Sequence, residues 1–102
     1  MKIFLDDVRF PPNNSWELIR EPETALTLLL TGHVSEVSLD HDLGEGKMTG
    51  YDVICRLEEA VYTGDLQEDQ VPEISIHSSN PVGVEKMRIV KYRILQKLGK
   101  LI

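Results

Sequence analysis

Apolar residues fall into two spacings along this chain, and the switch between them marks out its elements. Lys2 to Leu5 places Ile3, Phe4 and Leu5 on consecutive positions, which suits a strand covered on both faces. Pro11-Pro12-Asn13-Asn14 is built from the residue types of turns and loops. Trp16 to Ile19 predicts a short second strand, with Trp16 and Leu18 set against Glu17 as at a sheet edge with one wet face. A helix begins within Arg20 to Thr24, where Pro22 suits a first turn that needs no N–H from it. Ala25, Leu26, Leu28, Leu29 and Leu30 follow, and Gly32 is a good stop. Val34 to Leu39 predicts a third strand and Gly44 to Gly50 a polar loop. Val53, Ile54, Leu57 and Val61 then repeat at helical spacing within Tyr51 to Tyr62.

After an acidic loop from Gly64 to Pro72, Glu73 to His77 alternates polar and apolar, as a half-exposed strand at the other sheet edge would. Asn80-Pro81 pairs a strong N-cap with a favoured first helical residue. Met87, Val90, Ile94 and Leu98 form the buried stripe of the helix it opens. The order β, β, α, β, α, β, α predicts one layered α/β domain over residues 1–102 with a mainly parallel sheet. The link between the first two strands, about nine residues, is short for a parallel crossover and leaves the direction of the second strand open.

Composition adds limits. Of 102 residues, 17 are acidic and 11 basic, for a net charge of -6, which argues against charge-driven coating of nucleic acid or membrane. No DNA-binding motif is present. The charge is uneven: 16 acidic and 5 basic residues precede Pro81, and 1 and 6 follow from there. The last helix therefore presents Lys86, Arg88, Lys91, Arg93, Lys97 and Lys100, a solvated face or a contact for RNA or an acidic partner protein. A single cysteine, Cys55, excludes an intrachain disulfide and fits a reducing, cytoplasmic setting. No apolar run has the length of a signal core or a membrane span.

Three apolar runs end in groups able to bind a cation, move a proton or hold an anion. Ile3-Phe4-Leu5 runs into Asp6-Asp7, Val37-Ser38-Leu39 into Asp40-His41-Asp42, and Ile74-Ser75-Ile76 into His77-Ser78-Ser79-Asn80. At the carboxyl ends of neighbouring parallel strands these groups would converge. Asp6 and Asp7 are either a ligand pair for a hard cation such as Mg2+ or solvated turn formers. Asp40 is a metal ligand or a nucleophilic carboxylate, and Asp42 a second ligand or the residue that orients His41. His77 has the chemistry of a general acid or base. Ser78, Ser79 and Asn80 add donors at a helix start, where anions bind. Arg9 could clamp a phosphate or neutralise the acidic pair.

The stretches Leu5-Asp6-Asp7-Val8-Arg9-x-Pro11, Ser38-Leu39-Asp40-His41-Asp42-Leu43-Gly44 and Ile76-His77-Ser78-x-Asn80-Pro81 together resemble the cyclic-phosphate processing receiver domains. That family is an enzymatic offshoot of the phosphate-receiver fold of two-component signalling. The resemblance implies a compact three-layer receiver-like domain. Its four-stranded, mainly parallel sheet would run in the order 2-1-3-4, with helices on both faces and the fifth strand missing. It also implies Mg2+ on the acidic pair and the aspartate after the third strand. With the residues read above, Mg2+ or Mn2+ is expected on Asp6, Asp7 and Asp40, and Asp40, His41, Asp42 and His77 are the expected catalytic residues. Phosphate would be held by Arg9, Ser78, Ser79 and Asn80. The activity it implies is hydrolysis of cyclic phosphates on nucleotides or broken RNA ends, as in RNA repair. Receivers carry a lysine after a fifth strand, and nothing here matches it, which weakens the alternative of a signalling module phosphorylated on Asp40. A non-catalytic domain that binds RNA or protein is the third expectation.

Overall fold

In a computed structural model, which describes residues 1–100, four short strands lie side by side, all parallel, in the order β2-β1-β3-β4. They are β1 (Lys2–Leu5), β2 (Trp16–Ile19), β3 (Glu36–Leu39) and β4 (Glu73–Ile76). Three helices follow the last three strands: α1 (Pro22–Leu29), α2 (Gly50–Thr63) and α3 (Pro81–Lys97). A short 3₁₀ turn at Glu68–Gln70 precedes β4. Fold class, strand order and parallel pairing agree with the sequence.

The direction of β2 is now fixed. Phe4 pairs with Leu18 and Leu5 with Ile19 in parallel register, although only a loop joins the two strands. The loop suffices because the strands are short. Four residues rise about 13 Å, and the ten residues from Asp6 to Ser15 can reach back over about 33 Å.

One expectation fails. The domain has two layers, with helices on one face of the sheet only. Ile3 and Leu5 of β1, Val37 and Leu39 of β3 and Ile74 of β4 form one buried cluster with Ala25 and Leu29 of α1, Val53, Ile54 and Leu57 of α2, and Met87, Val90 and Ile94 of α3. Handedness explains this. The crossovers β2-α1-β3 and β3-α2-β4 step across the sheet in the same direction, so right-handed connections put both helices on the same side. The step from β1 to β2 runs the other way and would cover the opposite face, but it carries no helix. That face shows Phe4 and Ser38, Trp16 and Leu18 half-buried, and Ser75 exposed.

Local signals set the helix ends. Thr49 and Asp52 form a reciprocal capping box at the start of α2, and Gly64 ends it in the left-handed conformation (φ 83°). Asn80 caps α3 by accepting from the Gly83 N–H, with Pro81 at the first helical position. Gly50 has a different reason to be glycine. A Cβ there would overlap the Asp40 carbonyl oxygen, because its own N–H donates to the His41 carbonyl at 2.9 Å. The start of α2 is thus pressed onto the loop that carries Asp40. Gly50→Ala is expected to cost about 3 kcal/mol, at the upper end for overpacking. Urea unfolding would show this as a lower midpoint at unchanged slope; an unchanged midpoint would refute it.

Candidate active site

β1, β3 and β4 end together, and the residues just past them share the face of Phe4 and Ser38. Asp6, with no exposed surface, sits at the centre. Its Oδ1 accepts from the backbone N–H groups of Val8 (2.9 Å) and Arg9 (2.8 Å). Its Oδ2 lies 3.0 Å from His77 Nε2. On the far side of that imidazole, Nδ1 lies 2.6 Å from the Ser38 hydroxyl. The ring stacks on Phe4 at 4.1 Å between centroids, 11° from parallel. Burial raises the Asp6 pKa, but the Arg9 and Val8 N–H groups and His77 outweigh it and hold the carboxyl below its ordinary range. With Asp6 ionised, a neutral His77 carries its proton on Nε2, and Ser38 donates to Nδ1. Both ring nitrogens are engaged.

Asp40 is almost as buried and shifts the other way. Burial and the neighbouring Asp6 carboxylate raise its pKa, against the opposing pull of Ser78, the His41 N–H and His77. Its Oδ1 accepts from the His41 N–H at 2.8 Å. Asp7 is half-buried. One oxygen each from Asp6, Asp7 and Asp40 can be chosen so that all lie within 4.8 Å of one another. Three hard oxygen donors crowded at one end of a sheet, one of them held above its ordinary pKa by burial and a like charge, fit a small divalent cation.

A second group adjoins the first. His41 Nδ1 lies 3.0 Å from Asp42 Oδ1, and the Asn80 amide donates to Asp42 at 3.2 Å. The bonds from His41 and Asn80 keep the Asp42 carboxyl below its ordinary range. The His41 ring packs on the first turn of α3, where a Cβ on Gly83 would overlap it. Among the described residues His41 Nε2 makes no hydrogen bond. The two imidazoles thus lie on opposite faces of the sheet, His41 beside α3 and His77 over Phe4, with Asp40 between them in the chain fold.

The remaining sequence-predicted residues divide. Ser78 helps to draw the Asp40 pKa down and its hydroxyl accepts from the Asn80 N–H, while Ser79 is exposed and makes no side-chain hydrogen bond among the described residues. Asn80 spends its amide on capping α3 and holding Asp42. Arg9 is exposed, and the site uses its backbone rather than its guanidinium. Of the basic residues of α3, Arg93 forms a two-bond pair with Glu58 (2.7 and 2.9 Å), and Lys86 and Lys97 lie over Tyr51 and Tyr62. Half of that basic face therefore serves packing against α2.

Ser38, Phe4, Arg20 and Gly83 are parts of the site that the sequence left unmarked. Ser38 had a signal, a hydroxyl set between two apolar residues, Val37 and Leu39, just before the acidic cluster. Arg20 had none; its Nη1 donates to the carbonyls of Asp6 (3.3 Å) and Arg9 (3.0 Å) and braces the loop after β1. Ser38→Ala is expected to cost about 1 kcal/mol, the worth of one buried hydrogen bond, and to leave His77 Nδ1 without its partner. Thermal unfolding and the ¹⁵N shifts of the His77 ring would report the two effects, and unchanged ring shifts would contradict this role.

Parallel strands with an acidic pair after β1 and an aspartate after β3 define a receiver-like domain. Within that class, residues 1–93 match the family model for the cyclic-phosphate processing receiver domain. The chain belongs to that family. No curated protein and no solved structure matches it, and no helix among the described residues is long and apolar enough to cross a membrane.

Proposed function

We propose that this protein is a metal-assisted phosphoesterase that opens cyclic phosphates, with 2′,3′-cyclic phosphates of nucleotides or RNA ends as its substrates. The observation that carries the proposal is the meeting of Asp6, Asp7 and Asp40 oxygens within 4.8 Å beside His77 and the start of α3, in a family of cyclic-phosphate processing domains. Asp6, Asp7 and Asp40 would hold Mg2+ or Mn2+, which when bound supplies Lewis-acid polarisation of a phosphoryl oxygen.

The chain's own residues supply the rest. Ser78, Ser79 and the α3 N-terminus offer donors to phosphoryl oxygens, where charge builds in the transition state, and the exposed guanidinium of Arg9 can swing onto the same group. Water adds to phosphorus, the bond to one ribose oxygen breaks, and a phosphomonoester remains. One proton leaves the water and one reaches the departing oxygen. His41 suits one transfer: Asp42 orients its Nδ1 and leaves Nε2 to act. His77, on the other face, suits the second and exchanges its bond to Asp6 for one to the reacting group.

Turnover of 2′,3′-cyclic AMP with Mg2+ tests this. Hydrolysis to a monophosphate is expected in the wild type, with at least a hundredfold loss in His41→Ala and in His77→Ala, at the low end for a general acid or base. No hydrolysis of this or of cyclic-phosphate-ended RNA would remove the proposal. A second reading, phosphorylation of Asp40, draws on its place at the end of β3, where only Oδ1 is fixed by a backbone N–H. Incubation with a small phospho-donor followed by intact-mass measurement would show an acid-labile adduct, absent from Asp40→Asn, if that reading were correct.

A further inference from the structure

The loop that replaces a helix between β1 and β2 builds a cleft the proposed chemistry does not use. Phe10, Pro11, Pro12, Asn13, Asn14, Trp16 and Leu18 enclose an open cavity of about 410 Å³, a size typical of small-ligand sites. From this we infer that the cleft holds the base of a nucleotide whose phosphate lies at Asp6 and Asp40. This rests on the phosphoesterase reading and gives the base of its substrate a place.

Four observations support a flat, neutral, polar heterocycle. The lining is aromatic rings, prolines, a leucine and two carboxamides, with no charged side chain, so it suits neither a second phosphate nor a charged peptide. Phe10 is 76% exposed, yet its ring is not loose. The Arg20 guanidinium lies 5.0 Å from its centroid, and the same guanidinium is bonded to the carbonyls of Asp6 and Arg9, so one ring face is backed and the other is open for stacking. The loop is also stiffened, by two prolines with fixed φ and by Asn13, whose Oδ1 accepts from the Ser15 N–H at 2.9 Å. That leaves the Asn13 amide N–H₂ and the whole Asn14 carboxamide without partners among the described residues, a donor and acceptor set for a base edge. Finally, packed rings link the cleft to the site: Phe4 stacks on His77 and meets Trp16 edge-on at 6.2 Å between centroids.

Trp16 is the only tryptophan, so its fluorescence reports on the cleft directly. The probes are 2′,3′-cyclic AMP, adenosine, and glycerol 1,2-cyclic phosphate, which has the phosphate ring without a base. Wild type is expected to bind 2′,3′-cyclic AMP at least about tenfold more tightly than glycerol 1,2-cyclic phosphate, with a change in Trp16 emission only for the two ligands that carry adenine. Phe10→Ala, at an exposed position with unfolding otherwise unchanged, should remove that preference and leave the affinity for the base-free ring as it was; Asn14→Ala should narrow it. Equal affinities in the wild type, or a preference that survives both substitutions, overturns the base cleft. The parent reading fails separately. If both cyclic phosphates are hydrolysed with equal efficiency, the phosphoesterase stands without the cleft. If adenosine binds in a Phe10-dependent way and neither cyclic phosphate is hydrolysed, the cleft stands without the phosphoesterase.

Discussion

Asp40→Asn is expected to yield a protein that is more stable than the wild type in metal-free buffer and nearly inactive. Asp40 is a buried carboxylate facing another, and the raised pKa records the cost of ionising it. The sign follows from linkage. A carboxyl whose folded pKa lies above its unfolded value binds its proton more readily in the folded state, so its ionisation removes stability as pH rises through that raised window. Asparagine keeps the shape without the charge. A gain of about 1 kcal/mol is expected at neutral pH, typical for relieving a strained functional site, or a rise of about 4 °C or more in melting temperature for a domain of this size. On the proposed mechanism turnover should fall about a thousandfold, since losing a metal ligand would forfeit several kcal/mol of transition-state stabilisation and each 1.36 kcal/mol is a factor of ten. Mg2+ at about a hundred times its dissociation constant should stabilise the wild type by about 2.7 kcal/mol and the variant far less. A variant less stable than the wild type at neutral pH without metal would contradict this account of Asp40.

Asp6→Ala should do the reverse to stability and the same to activity. Asp6 satisfies the N–H groups of Val8 and Arg9 and the His77 imidazole from a fully buried position. Its removal strands three donors at once. Leaving one buried donor unsatisfied costs about 1–3 kcal/mol, so losing the acceptor of all three takes a large part of the 5–15 kcal/mol typical of a whole domain. The pH dependence is opposite to that of Asp40. A carboxyl whose folded pKa is lowered contributes stability that is present above its unfolded pKa and lost as pH falls through its folded one. The gap between wild type and Asp6→Ala should therefore be widest near neutrality and close in acid. Urea titrations at several pH values measure it, and a gap below about 1 kcal/mol at pH 7 would show that the loop after β1 needs no carboxylate.

These two aspartates also mark what the sequence disclosed. That apolar runs end in Asp6-Asp7, Asp40 and His77 was legible, because strand-forming triplets and parallel connections bring such ends together whatever the details. The opposite fates of Asp6 and Asp40 were not legible. They depend on which backbone N–H groups turn inward after Leu5, and on Arg20 bracing that turn from a neighbouring strand. The roles of the imidazoles were hidden for a related reason. Nothing local to His77 says that Phe4 will lie under it or that Ser38 and Asp6 will occupy both its nitrogens. The second helical layer was expected from likeness to receivers, and the loop from Asp6 to Ser15 removed it. Its length alone could not say whether the strand it led to ran up or down.

The strand that leads into Asp6 is synthesised before the other three of the sheet and lies in its interior, bonded on one side to residues 16–19 and on the other to residues 36–39. A ribosome therefore releases Ile3-Phe4-Leu5 well before Leu39 exists to flank it. During that interval this apolar tract of the nascent chain lacks the neighbour on one of its two sides. The molecule's vulnerability in the cell falls at this early stage of its making, when shielding by a chaperone would matter most.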